Sequence, residues 1–287
     1  MPQRLVVRCK EIMIVYRYME FEYGKQALND LQLRTSIPDS LNDPFELSPN
    51  IDPSQFTQKR CETFLKQDYN IEERYQIEGR KNGFTNKKQF KRWYMKDLPR
   101  RAAALLPKVP TNIEAVRLNF AQTLGKQFHI ISASLLPDSV LMWSHYAKNH
   151  SGMVIGLKLS EEPFKQLGAD YIIPVKYSAT KADYVHHVRA SKFEKRILSV
   201  AATKGDQWEY EKEVRILVPS SVRVLHAGRF LPISPLSVAS VCFGCRTDNK
   251  TKTSVMQILK KPHFRHVELY HARLHPSEYS LIIERST

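Results

Sequence analysis

Short segments rich in β-branched and aromatic residues recur along the chain, and each of them predicts a strand. Some alternate apolar with polar residues and others are continuous apolar runs, as in strands buried on one or both faces. The predicted strands are IMIVYRY (12–18), FHIISASLL (128–136), GMVIGLKL (152–159), YIIPVKYS (171–178), WEYEKEVRILV (208–218), RVLHA (223–227), PLSVASVCFG (235–244) and HVELYHARL (266–274).

Longer and more charged segments predict helices. They are residues 20–32, much of 54–125, 181–204 and 249–261. A loop dense in Pro, Asn, Asp and Ser, TSIPDSLNDPFELSPNIDPS, precedes the second of them. Strands and helices in this order predict an α+β fold with a mostly antiparallel sheet. We expect a single domain spanning 1–287, with a basic helical insertion at about 54–125.

The segment QWEYEKEVRILVPS (207–220) carries a glutamate at every second position before it becomes apolar. If the whole segment is a strand, then Glu209, Glu211, Glu213 and Arg215 lie on one face, since side chains two residues apart point the same way. Carboxylates that close repel, so their pKa values should separate unless cations pair them. This face is either a solvated strand end or a pair of carboxylates in a cleft. In the cleft, one carboxylate would bind a sugar hydroxyl and stabilise an oxocarbenium-like centre, while its neighbour orients the acceptor.

Composition constrains the partners and the compartment of the protein. Hydrophobic residues make up 42% and charged residues 25% of the 287 residues, as in ordinary folded proteins. No apolar run approaches the roughly 20 residues that span a bilayer, and the N-terminus lacks a signal-peptide pattern. Four cysteines agree with a reducing compartment. These features predict a cytoplasmic protein without a membrane partner.

The chain is strongly basic, and the excess charge is uneven. With 44 Lys and Arg against 29 Asp and Glu, the net charge is +15. Residues 80–101 hold nine Lys or Arg against one acid, together with four aromatic residues. Basic side chains neutralise phosphates and aromatic rings stack on unpaired bases, so nucleic acid is one predicted partner of this stretch. The alternative is a solvated helix face with its aromatics in the core. The candidate contacts are Lys87, Lys88, Lys91, Arg92 and Trp93.

Common catalytic motifs are absent from the sequence. It contains no P-loop, no G-x-G-x-x-G fingerprint, no G-x-S-x-G elbow and no H-E-x-x-H zinc motif. No metal site is therefore predicted. A nuclease would need clustered carboxylates to hold Mg²⁺; the three glutamates could serve, but the Asp and Lys pattern of common nuclease sites is missing.

Three short motifs resemble those of the arginine-type ADP-ribosyltransferase toxins. VYRY (15–18) resembles their first strand, ISAS (131–134) their Ser-x-Ser strand and EKE (211–213) their late Glu-x-Glu, in the same order. The resemblance implies that NAD is the substrate. It implies that Arg17 and Tyr18 bind NAD at the phosphates or ribose, that Ser132 and Ser134 build the nicotinamide site, and that Arg17, Glu211 and Glu213 are catalytic.

Within that resemblance, Glu213 is the predicted catalytic glutamate. It lies nearest the apolar half of its segment, where drier surroundings make a charge act more strongly. Glu211 is expected to orient or deprotonate the acceptor, and Glu209 to be solvated.

A wider set of segments is similar to a bacterial family known only as a domain of unknown function. The similar segments are SLNDPFE (40–46), LMWSHYAKNHSGMVIGL (141–157), WEYEKEVRI (208–216) and VCFGCR (241–246). Asn42 either caps a turn or closes the loop over NAD. Trp143, His145 and Tyr146 either present an aromatic wall to nicotinamide or belong to the core.

Together these features predict a cytoplasmic, NAD-dependent ADP-ribosyltransferase, an enzyme of the glycosyltransferase class. Nucleic acid is the expected acceptor, and a toxin–antitoxin or phage-defence effector the expected setting, with an antitoxin protein as a possible partner. The alternatives are a non-catalytic nucleic-acid-binding or interaction module and, with less support, a nuclease.

Overall fold

Strands from the N-terminal part of the chain and from residues 128–285 form the main sheet. The computed structural model describes residues 14–52, 57–67, 70–108, 113–182, 198–220 and 230–286. The strands are β1 (Ile14–Met19), β2 (Gln32–Arg34), β3 (Phe128–Ser134), β4 (Met153–Lys158), β5 (Ile172–Pro174), β6 (Lys176–Tyr177), β7 (Thr203–Lys204), β8 (Glu213–Pro219), β9 (Phe230–Pro232), β10 (Val238–Phe243), β11 (Glu268–Leu274) and β12 (Leu281–Arg285). Eight of them form one sheet in the order β12-β11-β10-β4-β1-β3-β8-β5. Among its described strand pairs, β10 with β11 is the parallel one. The predicted α+β fold with a mostly antiparallel sheet is confirmed.

The helices follow the charged segments of the sequence. They are α1 (Phe21–Asp30), α2 (Gln58–Gln67), α3 (Ile71–Arg74), α4 (Lys87–Leu105), α5 (Ile113–Gln127), α6 (Val140–Tyr146), α7 (Phe164–Leu167) and α8 (Asn249–Leu259). A π-helix, Tyr75–Gly79, continues α3. No helix in the described ranges has both the length and the apolar character needed to cross a membrane.

The chain divides into two compact units. Unit 1 comprises residues 1–47, 121–181 and 201–287, and unit 2 comprises 48–120 and 182–200. Unit 1 contains the eight-stranded sheet. Unit 2 contains α2, α3 and α4, and its core includes the buried side chains of Tyr75, Phe90, Tyr94 and Leu98. The predicted helical insertion at about 54–125 overlaps unit 2.

Both faces of the sheet in unit 1 are covered, which explains its long apolar runs. One apolar cluster includes Val15, Ile131, Val214 and Phe243. A second includes Tyr18, Trp143, Val154 and Cys242. Six of the seven residues of β8 are buried, because it lies between β3 and β5 and is covered on both faces.

The strand predicted at 208–218 begins at Glu213, and this corrects the expected row of glutamates. Asp206–Glu211 form a 3₁₀-helix, and Lys212 is left-handed, with φ 42°, before β8 starts. Ser134, the last residue of β3, pairs with Glu213, so the register of the two strands ends there. Of the predicted row, only Glu213 and Arg215 therefore share a strand face. Glu209 is exposed and pairs with Lys212 at 2.9 Å.

The helix predicted at 181–204 is only partly open to comparison. Residues 183–197 lie outside the described part of the chain, as do residues 223–227 of a predicted strand. The described end of the segment departs from the prediction, since Thr203–Lys204 form β7 and pair with Lys176–Tyr177 of β6. Lys204 is thereby placed on a strand instead of on a solvated helix.

Candidate active site

A cleft lies beside the point where β1 and β3 separate. Tyr16 with Ser134 is the residue pair that joins these two strands, whereas β3 pairs with β8 from end to end. The cleft has a volume of about 450 Å³, within the range of roughly 300–1,000 Å³ typical of small-molecule sites. Its walls come from β1, α1, β2, the loop after β2, β3, α6, β7 and the start of β8.

Arg17 brings a guanidinium group to this cleft. It lies one residue beyond Tyr16, and its Nη1 donates a hydrogen bond to the main-chain oxygen of Ser132. Burial lowers the pKa of Arg17, while the negative charge of Glu213 acts in the opposite direction and the positive charge of Arg34 adds to the lowering. Arg17 therefore interacts electrostatically with the predicted catalytic glutamate.

Glu213 is buried and closely paired. Arg215, on the same face of β8, donates from Nε to Oε1 and from Nη2 to Oε2, both at 3.0 Å. Lys204 Nζ lies 3.5 Å from Glu213 Oε2, and the side chain of Ser132 also hydrogen-bonds the carboxylate. Burial raises the pKa of Glu213, and Lys204 and Ser132 oppose that rise. The two-point guanidinium contact favours the ionised carboxylate.

Glu211 reaches the same cleft from the end of the 3₁₀-helix. Its Oε1 accepts a hydrogen bond from Tyr146 Oη at 2.7 Å, and its Oε2 accepts one from Lys204 Nζ at 2.7 Å. Asn42 Nδ2 donates to Tyr146 Oη at 2.9 Å. Burial and the bond to Glu211 raise the pKa of Tyr146, so its phenol stays protonated and donates at neutral pH.

A third carboxylate, Glu46, comes from the loop after β2. The turn is held by Asp43, whose Oδ1 accepts from Phe45 N at 2.8 Å and whose main-chain oxygen accepts from Glu46 N at 3.0 Å. Glu46 Oε1 contacts Nη2 of Arg215 and lies 3.8 Å from Lys204 Nζ. Its Oε2 is buried and has no hydrogen-bond partner among the described residues.

Five charged side chains thus form one buried group, called here the inner charge cluster. Its members are Glu46, Lys204, Glu211, Glu213 and Arg215. Burial lowers the pKa of Arg215 to about 10 and nearby Asp43 opposes this, so the guanidinium is charged at neutral pH. Three carboxylates against two cations leave the cluster with an excess negative charge. Because desolvation offsets the attraction in buried ion pairs, such a group is weak evidence for stability, but it is typical of a functional site.

Three residues predicted to bind NAD make supporting contacts; Tyr18 also lines the cleft, whereas Trp143 and Ser134 do not. Trp143 is 0% exposed and packs edge-on against Tyr18. The Tyr18 hydroxyl is engaged with the loop before α6, where it donates to Leu136 O at 2.7 Å. Ser134 is fully buried, and its Oγ donates to Glu211 O at 2.6 Å. These side chains have little or no surface to offer a ligand, because the same atoms hold the loops that shape the cleft.

The other residues predicted to bind NAD also line the cleft. They are Arg17, Asn42, Ser132, His145 and Tyr146. His145 is exposed, and its ring centroid lies 6.1 Å from that of Tyr210 and 6.3 Å from that of Tyr146. Of the three residues of the predicted aromatic wall, His145 and Tyr146 line the cleft, whereas Trp143 lies in the core.

Glu46, Lys204 and Arg34 are among the charged residues of the cleft that sequence reasoning missed. Glu46 belongs to SLNDPFE, a segment already singled out, and an acid placed directly after that turn was an available signal. Lys204 had no such signal, because it was assigned to a helix. Arg34 also lines the cleft, and its guanidinium lies over the ring of Tyr23 at 5.6 Å.

Unit 2 carries the basic surface predicted between residues 80 and 101. Lys87, Lys88, Lys91 and Arg92 are exposed on α4, and Lys87 pairs with Glu72 at 2.5 Å. The side chains of Lys88, Lys91, Arg92 and Lys96, called here the basic stripe, are spaced along one face of α4. No carboxylate pairs with the basic stripe among the described residues.

Trp93 is less available than its predicted role of stacking on a base requires. It is half-buried, with ring centroids 5.2 Å from Phe84 and 5.8 Å from Phe90. The guanidinium carbon of Arg101 lies 5.1 Å from its centroid. The aromatics of this stretch therefore pack on one another, as expected for a solvated helix face with its aromatics in the core.

Residues 142–216 match a family described as a protein of unknown function (DUF2971). The match covers about a quarter of the chain and includes Tyr146, Lys204 and the segment 208–216. Two of the segments similar to a domain of unknown function, SLNDPFE and VCFGCR, lie outside it. Neither a curated protein nor a solved structure matches the chain.

The donor set of the inner charge cluster does not favour metal binding. A nuclease centre needs carboxylate oxygens free to coordinate Mg²⁺. Here Lys204 and Arg215 lie between the carboxylates, and no group of three or more His, Cys, Asp or Glu in the described ranges is arranged to hold a metal ion. The carboxylates face ammonium and guanidinium groups instead.

Proposed function

We propose that the protein is an NAD-dependent ADP-ribosyltransferase. The observation that supports this most is the meeting of Arg17, Ser132, Glu211 and Glu213 at one cleft. These residues come from distant parts of the chain, and their motifs resemble in order those of the arginine-type toxins. A cleft of about 450 Å³ with buried carboxylates and a cationic Arg17 suits part or all of a dinucleotide.

In the proposed reaction, the bond between nicotinamide and the ribose C1′ breaks. Nicotinamide leaves as the neutral base with the bonding electron pair, and positive charge develops at C1′ and the ring oxygen, as in other glycosyl transfers. The Glu213 carboxylate stabilises that charge more in the transition state than in the ground state. A hydroxyl or amino group of the acceptor then bonds to C1′, and its proton passes to Glu211. Arg17 binds the diphosphate of NAD.

Nucleic acid is the acceptor class that we propose. The support is the basic stripe on α4 and the net charge of +15, which favour a phosphate-rich partner. One observation favours the non-catalytic alternative: Arg215 and Lys204 already pair with Glu213, so its charge is partly neutralised. A binding module that retains the cleft without the reaction would keep the basic stripe and release no nicotinamide.

The reaction is tested with NAD labelled in the ADP-ribose portion. The purified protein is incubated with it and with RNA, single-stranded DNA, duplex DNA or a protein mixture, and both free nicotinamide and acceptor-bound label are measured. Label on RNA or DNA supports the proposal in full. Free nicotinamide without transfer indicates a glycohydrolase, and neither product with tight nucleic-acid binding indicates the non-catalytic module.

We further propose that the enzyme acts as a bacterial toxin or phage-defence effector, held in check by an antitoxin protein. This extends the chemistry to a cellular setting, because covalent modification of nucleic acid by an intracellular enzyme would stop growth unless restrained. Induced expression in bacteria should arrest growth, and expression of Glu213→Gln should not. Equal growth with both proteins would contradict the effector role.

A further inference from the structure

Glu46 is the carboxylate of the inner charge cluster that the proposed reaction leaves without a role. Its side chain is 3% exposed, although it stands on a loop whose neighbouring Phe45 is 68% exposed. Asp43 shapes the turn that aims it inward. A carboxylate directed from a surface loop into a buried cluster loses its hydration, so hydrogen bonds and ion pairs inside the cluster must compensate for that loss.

The partners of Glu46 inside the cluster contact only one of its two carboxylate oxygens. Glu46 Oε1 contacts Arg215 and approaches Lys204, whereas Oε2 is buried without a hydrogen-bond partner among the described residues. An incompletely satisfied buried carboxylate does not favour folding. Its position is therefore better explained by what it does to the neighbouring charges.

Glu46 shares both of its cations with the other two carboxylates. Arg215 Nη2 contacts Glu46 and also donates to Glu213 Oε2 at 3.0 Å. Lys204 Nζ lies 3.8 Å from Glu46, 2.7 Å from Glu211 and 3.5 Å from Glu213. A cation divided among several carboxylates neutralises each of them less than it would neutralise one alone.

We propose that Glu46 is a positioning residue that draws Arg215 and Lys204 partly away from Glu213 and so preserves negative charge on Glu213 for a cationic centre in the cleft. Its link to catalysis rests on the proposed function. The electrostatic coupling between Glu46 and Glu213 does not, because it depends only on the two shared cations.

The groups that act on Glu213 come from every element packed around it. Arg17 on β1 and Arg215 on β8 are positive, Lys204 on β7 is positive, and Glu211 before β8 is negative. The hydroxyl of Tyr177 on β6 accepts a hydrogen bond from Glu213 N at 2.7 Å. Removing the charge of Glu46 leaves all of these groups present, takes away one negative neighbour and leaves both shared cations to Glu211 and Glu213. Both effects favour the ionised form of Glu213, so its pKa falls.

Glu46→Gln tests the inference, since it nearly preserves shape and removes the charge. We expect kcat for nicotinamide release to fall about tenfold, less than after loss of a direct transition-state contact, with KM for NAD nearly unchanged. The acidic limb of the kcat/KM profile should move to lower pH by about half a pH unit or more. A purely structural role would lower the amount of folded enzyme and leave that limb in place.

Two variants serve as controls. Glu209→Gln removes a carboxylate from the same region, but Glu209 is 59% exposed and pairs with Lys212; it should change neither kcat nor the acidic limb. Glu46→Asp keeps the charge, so its acidic limb should stay closer to that of the wild-type protein than the limb of Glu46→Gln does.

A second measurement is made on the wild-type protein, so it depends neither on NAD cleavage nor on a variant that folds. In protein labelled with ¹³C at the glutamate carboxyl groups, the wild-type signals of Glu46 and Glu213 should titrate as a coupled pair with shared apparent pKa values. Independent titration of the two would overturn the inference, even in an enzyme that cleaves NAD. Coupled titration in a protein that releases no nicotinamide would support the coupling and count against the proposed function alone.

Discussion

At the scale of single residues, the cleft is defined by negative charge that is buried and shared. Glu211 and Glu213 are 3% and 5% exposed, and both pair with Lys204. A carboxylate held in this way needs little rearrangement when positive charge develops beside it, which is the condition for electrostatic catalysis. The same pairing limits how much charge is available, so the balance between Glu213 and its cations would decide the proposed activity.

Replacing Glu213 should separate catalysis from folding. Glu213→Gln keeps the size of the side chain and removes its charge, so nicotinamide release should fall by a factor of about 100 or more, the scale of losing one transition-state contact. NAD affinity, measured by calorimetry, should change little.

Glu209→Gln is the matched control for this prediction. Glu209 lies on the exposed side of the 3₁₀-helix, and its loss should leave the rate within about twofold, since exposed ion pairs contribute little. Full activity of folded Glu213→Gln would remove Glu213 from the mechanism and weaken the case for an enzyme.

Trp143 should matter for stability and not for ligand contact. Trp143→Ala empties a fully buried site and should lower the free energy of unfolding by about 3–5 kcal/mol, measured by denaturant titration. His145→Ala, on the same helix but exposed, should leave stability nearly unchanged and weaken NAD binding. If Trp143→Ala is as stable as the wild type but binds NAD more weakly, then Trp143 contacts the ligand and belongs to the predicted aromatic wall.

At the scale of elements, the turn before β8 decides where the glutamates point. Lys212 is left-handed with φ 42°, and the end of β3 at Ser134 leaves residues 206–211 to form a 3₁₀-helix. Had the strand continued, Glu211 and Glu213 would lie on one face. The turn instead directs Glu211 toward Lys204 and Tyr146.

Substitutions at Lys212 test that turn. A β-branched residue is strained in the left-handed region, so Lys212→Val should cost about 1–2 kcal/mol of stability and lower activity by misplacing Glu211. Glycine adopts the left-handed backbone without strain, so Lys212→Gly should keep both stability and activity. Each variant loses the exposed contact to Glu209. Thermal unfolding and nicotinamide release provide the measurements.

Lys176→Val is the control for backbone conformation. Lys176 is an exposed residue of β6, where valine is favoured, so stability should not fall. If Lys212→Gly and Lys212→Val prove equally stable, the left-handed turn does not constrain the site.

At the scale of the whole molecule, the net charge of +15 is the dominant property. It favours partners rich in phosphate and makes any such binding dependent on salt. Net charge alone does not show which surface binds nucleic acid. The location of the contacts is therefore tested by making the same reduction in charge on two different surfaces and comparing the two variants.

Replacing Lys87, Lys88, Lys91 and Arg92 by glutamine should weaken nucleic-acid binding and flatten its salt dependence, since fewer counterions are released. The control variant makes the same change in net charge by replacing four exposed lysines of unit 1 with glutamine. They are Lys148, Lys165, Lys250 and Lys260. Fluorescence anisotropy over a range of salt concentrations measures both. Equal slopes for the two variants would show that α4 contributes only to the overall charge.

The elements of the fold follow closely from the sequence, because their causes are local. β3, β4, β10 and β11 follow from β-branched and aromatic residues within a few positions of one another, and α1 and α8 from longer and more charged segments. The segment 208–212 was predicted wrongly because alternation reports only whether a strand is possible. Whether it forms depends on a partner strand, and β3 ends opposite Glu213.

The sequence by itself also determined the net charge, the order of the Arg, Ser-x-Ser and Glu-x-Glu motifs, and the acid of SLNDPFE. Only the tertiary structure decided which of these charges meet. Glu46 lies on a loop far along the chain from the two strands that carry Lys204 and Arg215, and no periodicity encodes such a contact. Burial then decided their chemistry, since the same carboxylates in water would be solvated one by one, whereas in the cleft they share two cations and act on one another.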